Sequence, residues 1–446
     1  MKNNISQLQK TYITLLKEFI SFKTVSTDKA FKGDILKAVS WISDMCKAHG
    51  FSVSLLQGKI TNPVVCASYV ANKKAKTVLV YGHYDVQPAS REDGWKTDPF
   101  VLTKKKDRYV ARGAVDNKGQ ILAHMVAVFD AIKNKTLQHN VIFLIEGNEE
   151  SGNPDLFGLL KKYKSKLKAD LIMISDGEMV GLHPTLDISF RGGGNMRIEY
   201  RTADNDRHSG LFGGAIPNAA IELATVISKL KSNNIVSLDG FYDGVSCSNP
   251  EIKRQHEKLS KLQPIQKLAG VKELKTEAGI SACEQIGLRP TLEVSGFFSG
   301  YVGEGYKNIV PARAEARINV RTVHSQSTAK VMKILKDFVI KETPKYVDVV
   351  VHTETHGDPV FLDLNHAHIH EVKNVLAEVH NKEVLHKTVG GSIPVVGQFA
   401  SVFKKTPIAM ASLCNDDCNM HGVGENFTEY HMTKALQFAH RYWCIR

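Results

Sequence analysis

Three short apolar runs in the first half of the chain each end in a group of histidine or acidic residues. The runs are TVLVYGHYDV (77–86), VIFLIEGNEE (141–150) and ADLIMISDGE (169–178). Consecutive Val, Ile and Leu residues predict strands that are buried on both faces, as in a parallel sheet. We therefore expect a sheet whose strands present polar side chains at their ends.

Helical periodicity separates these runs. KGQILAHMVAVFDAIKN (118–134) places its apolar side chains on one helix face, and residues 155–167 form a second candidate helix. Alternating strands and helices predict an α/β fold in which helices cover a mixed, mainly parallel sheet. Such sheets bind ligands beyond the carboxyl ends of their strands, which is where the histidine and acidic groups fall.

The hydrophobic pattern changes near residue 187. Residues 186–203 and 312–323 alternate apolar and polar positions, which is typical of antiparallel strands with one solvated face. Helical patterns accompany them at Ala219–Leu230 and Thr328–Ile340. We interpret this region as an inserted α+β domain.

The chain returns to glycine-rich loops and a last apolar strand, PIAMASLC (407–414). The predicted organisation is therefore a catalytic domain of residues 1–186 and 389–446, interrupted by a lid and dimerisation domain at 187–388. A chain of 446 residues is long enough for two such domains.

Composition narrows the class of protein. A hydrophobic content of 43% with 23% charged residues is typical of a globular chain, and no apolar run is long enough to span a bilayer. The polar start is not a secretory signal, so we expect a cytoplasmic protein without a membrane partner. The net charge of +12 raises the alternative of nucleic-acid binding, but the densest run, KKYKSKLK (161–168), is interpreted as a solvated helix face.

The seven cysteines are odd in number and follow no disulfide pattern, which favours a reducing compartment. Cys414 and Cys418 precede His421 closely enough to suggest a zinc knuckle. No second Cys/His pair lies at a suitable distance, so this alternative is the weaker one.

The strand-end residues include two histidines and three carboxylates with the donor atoms of a metal site. These residues are His83, Asp116, Glu150, Asp176 and His421. Imidazole and carboxylate without thiolate suit Zn²⁺ or Mn²⁺. If two ions share five ligands, one carboxylate must bridge, and Asp116 is the natural candidate. Glu149, pointing away from Glu150 on an extended strand, would be left to act on a water.

Each of these residues also has a simpler explanation when it is taken alone. Asp116 could cap the helix that follows it, and Asp176 could close a turn. Asp85 could be a surface turn residue, and His83 a partly buried, hydrogen-bonded histidine. Their shared position at one predicted sheet edge favours the metal site.

Four motifs together resemble those of the co-catalytic di-metal peptidases, which include carnosinase, cytosolic non-specific dipeptidase, aminoacylase and succinyl-diaminopimelate desuccinylase. The motifs are HYDVQP (83–88), VDNKG (115–119), EGNEESG (146–152) and SDGE (175–178). RHSGLFGGAIPNA (207–219) and GGSIPV (390–395) are similar to the carnosinase-like branch in particular.

The resemblance implies a role for each motif residue. One ion would be bound by His83, Asp116 and Asp176, and the other by Asp116, Glu150 and His421. Asp85 would orient His83. Glu149 would serve as general base and acid, taking the proton of a metal-bridged water that becomes the attacking hydroxide. The Asp116–Asn117 peptide bond would be cis.

The resemblance also implies a homodimer built through the inserted domain, with His208 donating to the oxyanion of the neighbouring subunit. Arg321 matches the family's carboxylate-binding arginine. Asn308 stands where relatives place Asn or Thr beside the substrate. Gly391 and Ser392 match a loop that contacts the substrate. The GGSIP loop departs from the branch, because Thr388 and Val389 replace the usual Arg-Glu pair.

We therefore predict a metallopeptidase of the dipeptidase or carboxypeptidase type, with a small peptide substrate and two divalent ions, Zn²⁺ or Mn²⁺. The alternative enzyme is an N-acyl-amino-acid amidohydrolase that uses the same centre. A third hypothesis, from another class, is a non-catalytic metal-binding protein.

Overall fold

The computed structural model describes residues 2–232, 234–246, 250–391 and 393–444. The helices are α1 (Lys2–Ser21), α2 (Lys32–Ala48), α3 (Lys118–Lys133), α4 (Leu156–Lys162), α5 (Ser209–Phe212), α6 (Ala219–Leu230), α7 (Pro250–Leu262), α8 (Ile265–Ala269), α9 (Ala282–Leu288), α10 (Thr328–Glu342), α11 (Ala367–His380), α12 (Pro394–Val402) and α13 (Glu429–Trp443).

The strands are β1 (Ser52–Leu56), β2 (Val64–Tyr69), β3 (Thr77–His83), β4 (Thr103–Lys105), β5 (Arg108–Val110), β6 (Asn140–Glu146), β7 (Leu171–Ile174), β8 (Thr185–Phe190), β9 (Gly192–Arg201), β10 (Arg207–His208), β11 (Lys231–Ser232), β12 (Ile235–Val236), β13 (Thr291–Ser299), β14 (Ile309–Val310), β15 (Arg313–Thr322), β16 (Asp348–Thr355), β17 (Val360–Phe361), β18 (Leu385–Val389), β19 (Ile408–Ser412) and β20 (Asn426–Thr428).

The chain divides into two units. The first comprises Met1–Ile188, Leu362–Lys387 and Gln398–Arg446, and the second comprises Ser189–Phe361 and Thr388–Gly397. The sheet of the first unit has the strand order β1-β2-β6-β3-β7-β19-β8. Its centre, β6-β3-β7-β19, is parallel throughout. The predicted α/β fold with a mainly parallel sheet is confirmed.

The parallel strands are buried as their uninterrupted apolar composition predicts. Every residue of β6, β7 and β19 is buried. Helix α3 is also buried on nearly all sides, because it packs against β3 and against α1 and α13. The single apolar face predicted for α3 therefore understates its burial. Among the described helices, none combines the length and hydropathy needed to cross a membrane.

The second unit contains the antiparallel strands that alternation predicts. Its sheet has the order β13-β15-β9-β16, and the residues of β15 alternate between buried and more exposed positions. The buried side chains of α6 and α10 pack on this sheet, with Leu223 and Leu335 fully buried. One face of the sheet is thus covered by helices.

The compact units differ from the predicted domain boundaries at two segments. Residues 389–397 were predicted to lie in the catalytic domain, but they group with the second unit. Residues 362–387 were assigned to the insertion, but they group with the first unit. The physical reason is α11, whose buried Ile369, Val372 and Leu376 join the core that contains α13. The role of the second unit as a lid and dimerisation domain stays a prediction.

Candidate metal centre

The carboxyl ends of three parallel strands, together with the loops that carry Asp116 and His421, bring the predicted metal ligands of the first unit together. His83 is the last residue of β3 and pairs in register with Glu146, the last residue of β6. Asp176 follows β7 by two residues. Asp116 lies directly before Asn117, the N-cap of α3, and the peptide bond between them is cis, as the resemblance implied.

Asp116 lies between two histidines. Its Oδ1 is 3.1 Å from His83 Nε2, and its Oδ2 is 2.8 Å from His421 Nε2. Asp176 Oδ2 lies 3.6 Å from the same His83 nitrogen. The two oxygens of Asp116 thus face different histidines, which is the arrangement that a bridging carboxylate requires. The N-cap of α3 is Asn117, so the simpler explanation of Asp116 as the cap of this helix is wrong.

Glu149 and Glu150 lie in a turn and not on a strand, because β6 ends at Glu146. The alternating side-chain directions of an extended strand therefore do not apply to Glu149 and Glu150, and the prediction that they share a strand is wrong. Their different surroundings come from the turn itself. Glu150 Oε2 is 3.3 Å from His421 Nε2 and accepts a 2.7 Å hydrogen bond from Gln87 Nε2.

The Asp85 carboxylate holds this turn by hydrogen bonds to its backbone. Its carboxylate oxygens accept hydrogen bonds from the backbone N–H groups of Glu149 (3.2 Å) and Glu150 (3.1 Å). The backbone oxygen of Asp85 lies 3.0 Å from His83 Nδ1, and its Oδ1 lies 3.4 Å from the same atom. Asp85 is fully buried. One residue therefore fixes both the orientation of His83 and the position of the Glu149–Glu150 turn.

The two histidines are held toward their charged forms. Burial opposes protonation of His83, but hydrogen bonds to Asp116, Asp176 and Asp85 raise its pKa well above the usual value. The hydrogen bond to Asp116 raises the pKa of His421 to about 9. Without another cation, the imidazole rings thus supply the positive charge that these carboxylates attract.

The adjacent glutamates, Glu149 and Glu150, are instead held toward their neutral forms. Burial and the nearby carboxylates, opposed by the charge of His83, together raise the pKa of Glu149 to about 8. Burial and the charge of Asp116 raise the pKa of Glu150 to about 7. Several carboxylates share a small buried volume that lacks enough positive charge to keep them all ionised, and a divalent cation would supply it.

The surroundings of the candidate ligand atoms also indicate a metal site. Glu150 Oε1 is buried without a hydrogen-bond partner, and the buried atoms His83 Nε2 and Asp116 Oδ2 contact other candidate ligands at 3.1 and 2.8 Å. Candidate ligand atoms of these three residues all lie within 4.8 Å of one another. Buried polar atoms without partners are costly, and coordination to a metal satisfies them. The residues present therefore fit a divalent metal ion.

Sequence reasoning missed a buried ion pair that supports this centre. Glu425 Oε2 accepts a 2.8 Å hydrogen bond from Arg112 Nη1. The same carboxylate accepts backbone N–H groups from Gly113 (2.9 Å), Val115 (2.9 Å) and Asp116 (3.1 Å). The carboxylate of Glu425 thus fixes the backbone that carries Asp116.

Arg112 fixes the loop that carries His421. Its Nη2 donates to the backbone oxygens of His421 (3.1 Å) and Gly422 (3.2 Å). Arg112 is only 3% exposed and Glu425 is fully buried. The pair therefore joins the Asp116 loop to the His421 loop. Single charged residues in loops show no hydrophobic periodicity, so the sequence pattern does not predict that Arg112 and Glu425 pair. The position of Glu425 four residues after His421 is the only sequence feature that places it near the metal centre.

The predicted residues of the second unit occupy two local groups. His208 is the N-cap of α5, and its Nδ1 accepts a 3.0 Å hydrogen bond from Gly210 N. Asn308 is exposed nearby, and its backbone oxygen accepts a hydrogen bond from Ser209 N at 3.0 Å. The loop of His208 and the segment of Asn308 are thus joined within this unit.

Arg321 lies on β15, opposite Gly193 of β9 and Thr291 of β13. Arg191, which sequence reasoning also missed, donates from Nε to Gly390 O at 2.7 Å and from its backbone N to Gly391 O at 3.1 Å. Arg191 therefore holds the glycine loop. The predicted Ser392 lies outside the described residues.

Cys414 and Cys418 are buried and form hydrogen bonds with residues other than His421. Cys414 Sγ donates to Gly177 O at 3.2 Å, and Cys418 Sγ donates to Glu178 Oε1 at 3.1 Å. His421 instead faces Asp116 and Glu150. The zinc-knuckle interpretation of this segment is therefore wrong, and His421 belongs to the carboxylate centre.

Comparison with known proteins identifies relatives of the whole chain. The model of peptidase family M20/M25/M40 matches residues 79–444. The Cys-Gly metallodipeptidase dug1 of Schizosaccharomyces pombe is 27% identical, covering 97% of this chain and 95% of its own.

Two solved structures share the fold. The M20 family metallo-carboxypeptidase Sso-CP2 from Sulfolobus solfataricus has a TM-score of 0.82 and 29% identity, and the match covers 97% of this chain and 98% of its own. Human carnosine dipeptidase 1 has a TM-score of 0.79 and 25% identity, over 99% and 97%. The predicted resemblance to the carnosinase-like branch is confirmed.

Proposed function

Because the chain belongs to peptidase family M20/M25/M40 and is a metallopeptidase, we propose that it hydrolyses the amide bond of dipeptides or short peptides with a free C-terminal carboxylate. The observation that carries this proposal is the position of Asp116, with one oxygen facing His83 and the other facing His421. A dipeptidase among the relatives, aligned over nearly the whole chain, supports the same substrate class.

The contacts of the first unit support the ligand sets that the resemblance implies. His83, Asp116 and Asp176 would hold one ion, and Asp116, Glu150 and His421 would hold the other. Two divalent ions, when bound, polarise a carbonyl and lower the pKa of water between them. Imidazole and carboxylate donors suit Zn²⁺ or Mn²⁺.

Glu149 is the proton carrier in this proposal. Its backbone is fixed by Asp85, and burial favours the protonated form of its carboxyl group. The Glu149 carboxylate takes the proton of the attacking water and returns it to the leaving amide nitrogen. A base fixed by its neighbours needs little reorganisation between these two transfers.

The second unit supplies substrate recognition. Arg321 binds the C-terminal carboxylate through its guanidinium, with Asn308, Gly391 and Ser392 beside the substrate. His208 stabilises the oxyanion in the active site of a partner subunit, so the enzyme is a homodimer. The exposure of His208 supports a role outside its own unit. The proposed location is cytoplasmic.

A hydrolysis panel tests this function. The purified protein is loaded with Zn²⁺ or Mn²⁺ and given a dipeptide, its C-terminal amide, and the N-acetyl and N-succinyl derivatives of its second residue. We expect hydrolysis of the free dipeptide and at least about tenfold slower hydrolysis of the amide, because one charged hydrogen-bonded pair is lost. Preference for an N-acyl amino acid would instead establish the amidohydrolase alternative.

A further inference from the structure

A groove in the first unit is lined by lysines that have no role in the proposed reaction. It has a volume of about 770 Å³ and runs between residues 161–168 and residues 401–406. Six lysines line it: Lys161, Lys162, Lys164, Lys168, Lys404 and Lys405. All six are exposed, and the lining contains no acidic residue. The two segments are far apart in sequence, so the fold itself gathers this charge.

These lysines lack the acidic partners that other basic residues of the unit have. Lys104 pairs with Glu429 at 3.0 Å, and Arg441 pairs with Glu378 at 2.8 Å. Within the described ranges, none of the six groove lysines forms a salt bridge, and only Lys161 and Lys162 contact aromatic rings. Like charges gathered without counter-charges repel one another, and a bound anion would relieve that repulsion.

The groove lies at the opposite edge of the sheet from the metal centre. Its two segments lead into the amino ends of the neighbouring parallel strands β7 and β19. They are joined there by hydrogen bonds from Thr406 Oγ1 to Ala169 O (3.3 Å) and from Ile172 N to Pro407 O (3.0 Å). The metal ligands lie at the carboxyl ends, so a ligand of the groove would occupy a second site.

The size and lining of the groove favour a small anion with several phosphates over other anions. Its volume of about 770 Å³ falls within the range of small-molecule pockets, about 300–1,000 Å³. Among the described residues that line the groove, the aromatic side chain of Phe403 is buried, so the lining itself offers no exposed ring to stack a base. Lysines bind phosphate as point charges without a fixed fork geometry, which suits a chain of several phosphates.

We propose that the lysine groove binds a small anion carrying several linked phosphates, at a site separate from the metal centre. A free phosphate chain and a nucleoside triphosphate share this chemistry. The KKYKSKLK run, interpreted from the sequence as a solvated helix face, then forms one wall of a binding site. Lys404 and Lys405 form the other wall.

Calorimetric titration of the metal-loaded, full-length protein with tripolyphosphate at 0.15 M NaCl tests the proposal. The groove variants are Lys404→Glu/Lys405→Glu and Lys161→Glu/Lys164→Glu, one for each wall. The matched control is Lys10→Glu/Lys17→Glu on α1, which makes the same change in net charge at exposed positions outside the groove. All variants keep the same metal centre, so heat from chelation is common to them.

We expect saturable binding of one tripolyphosphate per chain, weakened at least about tenfold in each groove variant and less than about threefold in the control. Adenosine triphosphate should bind like tripolyphosphate, whereas adenosine should not bind. Absence of saturable binding, equal losses in groove and control variants, or a preference for adenosine would overturn the proposal. Groove-dependent binding of duplex DNA that is tighter than that of tripolyphosphate would also overturn it, in favour of a nucleic-acid site.

Discussion

Glu425→Gln is predicted to weaken metal binding although Glu425 is not a proposed ligand. The carboxylate accepts three backbone N–H groups and the Arg112 guanidinium. An amide of the same size has one oxygen and one NH₂ group, so it cannot accept all four donors. Its NH₂ group would face a backbone N–H or the guanidinium, and the loop that carries Asp116 would move.

The expected size of the effect follows from these contacts. Removing one partner of a buried ion pair costs about 3–5 kcal/mol, because the remaining charge is left buried. We expect the free energy of unfolding to fall by about that amount. Loss of a residue that orients metal ligands lowers metal affinity by about 10–100-fold, and we expect that range for the Glu425 variant.

Competition with a chromophoric chelator measures the affinity for Mn²⁺, and urea unfolding measures stability. The matched control is Glu429→Gln, which removes the partner of Lys104 from an exposed pair at 3.0 Å and should cost less than about 1 kcal/mol. Unchanged metal affinity in a folded but destabilised Glu425→Gln protein would refute the positioning role and leave Glu425 a stabilising residue only.

Three further predictions concern single side chains. Asp116→Ala should leave fewer than two ions per chain by stoichiometric metal analysis, because Asp116 alone faces both histidines; two tightly bound ions would show that it is not the bridge. His208→Ala should lower turnover about 10²–10³-fold with metal content and dimerisation unchanged, and mixing it with Glu149→Gln chains should restore some activity; confirmed subunit exchange without restored activity would contradict a shared site. Burial lowers the pKa of His124 to about 4, below that of the unfolded chain, so stability should fall as the pH falls from 7 to 5. His124→Gln should reduce that fall by about 2 kcal/mol in urea unfolding at the two pH values, and an unchanged fall would mean that His124 is not the titrating group.

The arrangement of the first unit could be predicted because its signals are strong and local. The uninterrupted apolar runs gave β3, β6 and β7, and parallel strands necessarily bring their carboxyl ends to one edge. The meeting of His83 and Asp176 follows from that topology. Asp116 and His421 lie in loops outside these strands, so their residue types and the resemblance pointed to them, and the strand topology did not.

Other features depend on tertiary contacts that no periodicity encodes. The turn at Glu149–Glu150 is shaped by the Asp85 carboxylate, sixty-four and sixty-five residues away in the chain. Residues 362–387 group with the first unit because α11 packs in the same core as α13. An amphipathic pattern predicts a buried helix face but does not specify which element that face packs against. Arg112 and Glu425 are separated by 313 residues, so their pairing is visible only in three dimensions.

The most direct test of the proposed chemistry is dipeptide hydrolysis measured together with bound metal during readdition of Mn²⁺ or Zn²⁺ to the chelated protein. Activity should return as occupancy reaches two ions per chain. Glu149→Gln should take up the same two ions while its turnover stays about 10²–10⁴-fold lower. Full activity in the metal-free protein, or wild-type turnover in a Glu149→Gln protein with both ions bound, would contradict a two-metal peptidase that uses Glu149 as its base.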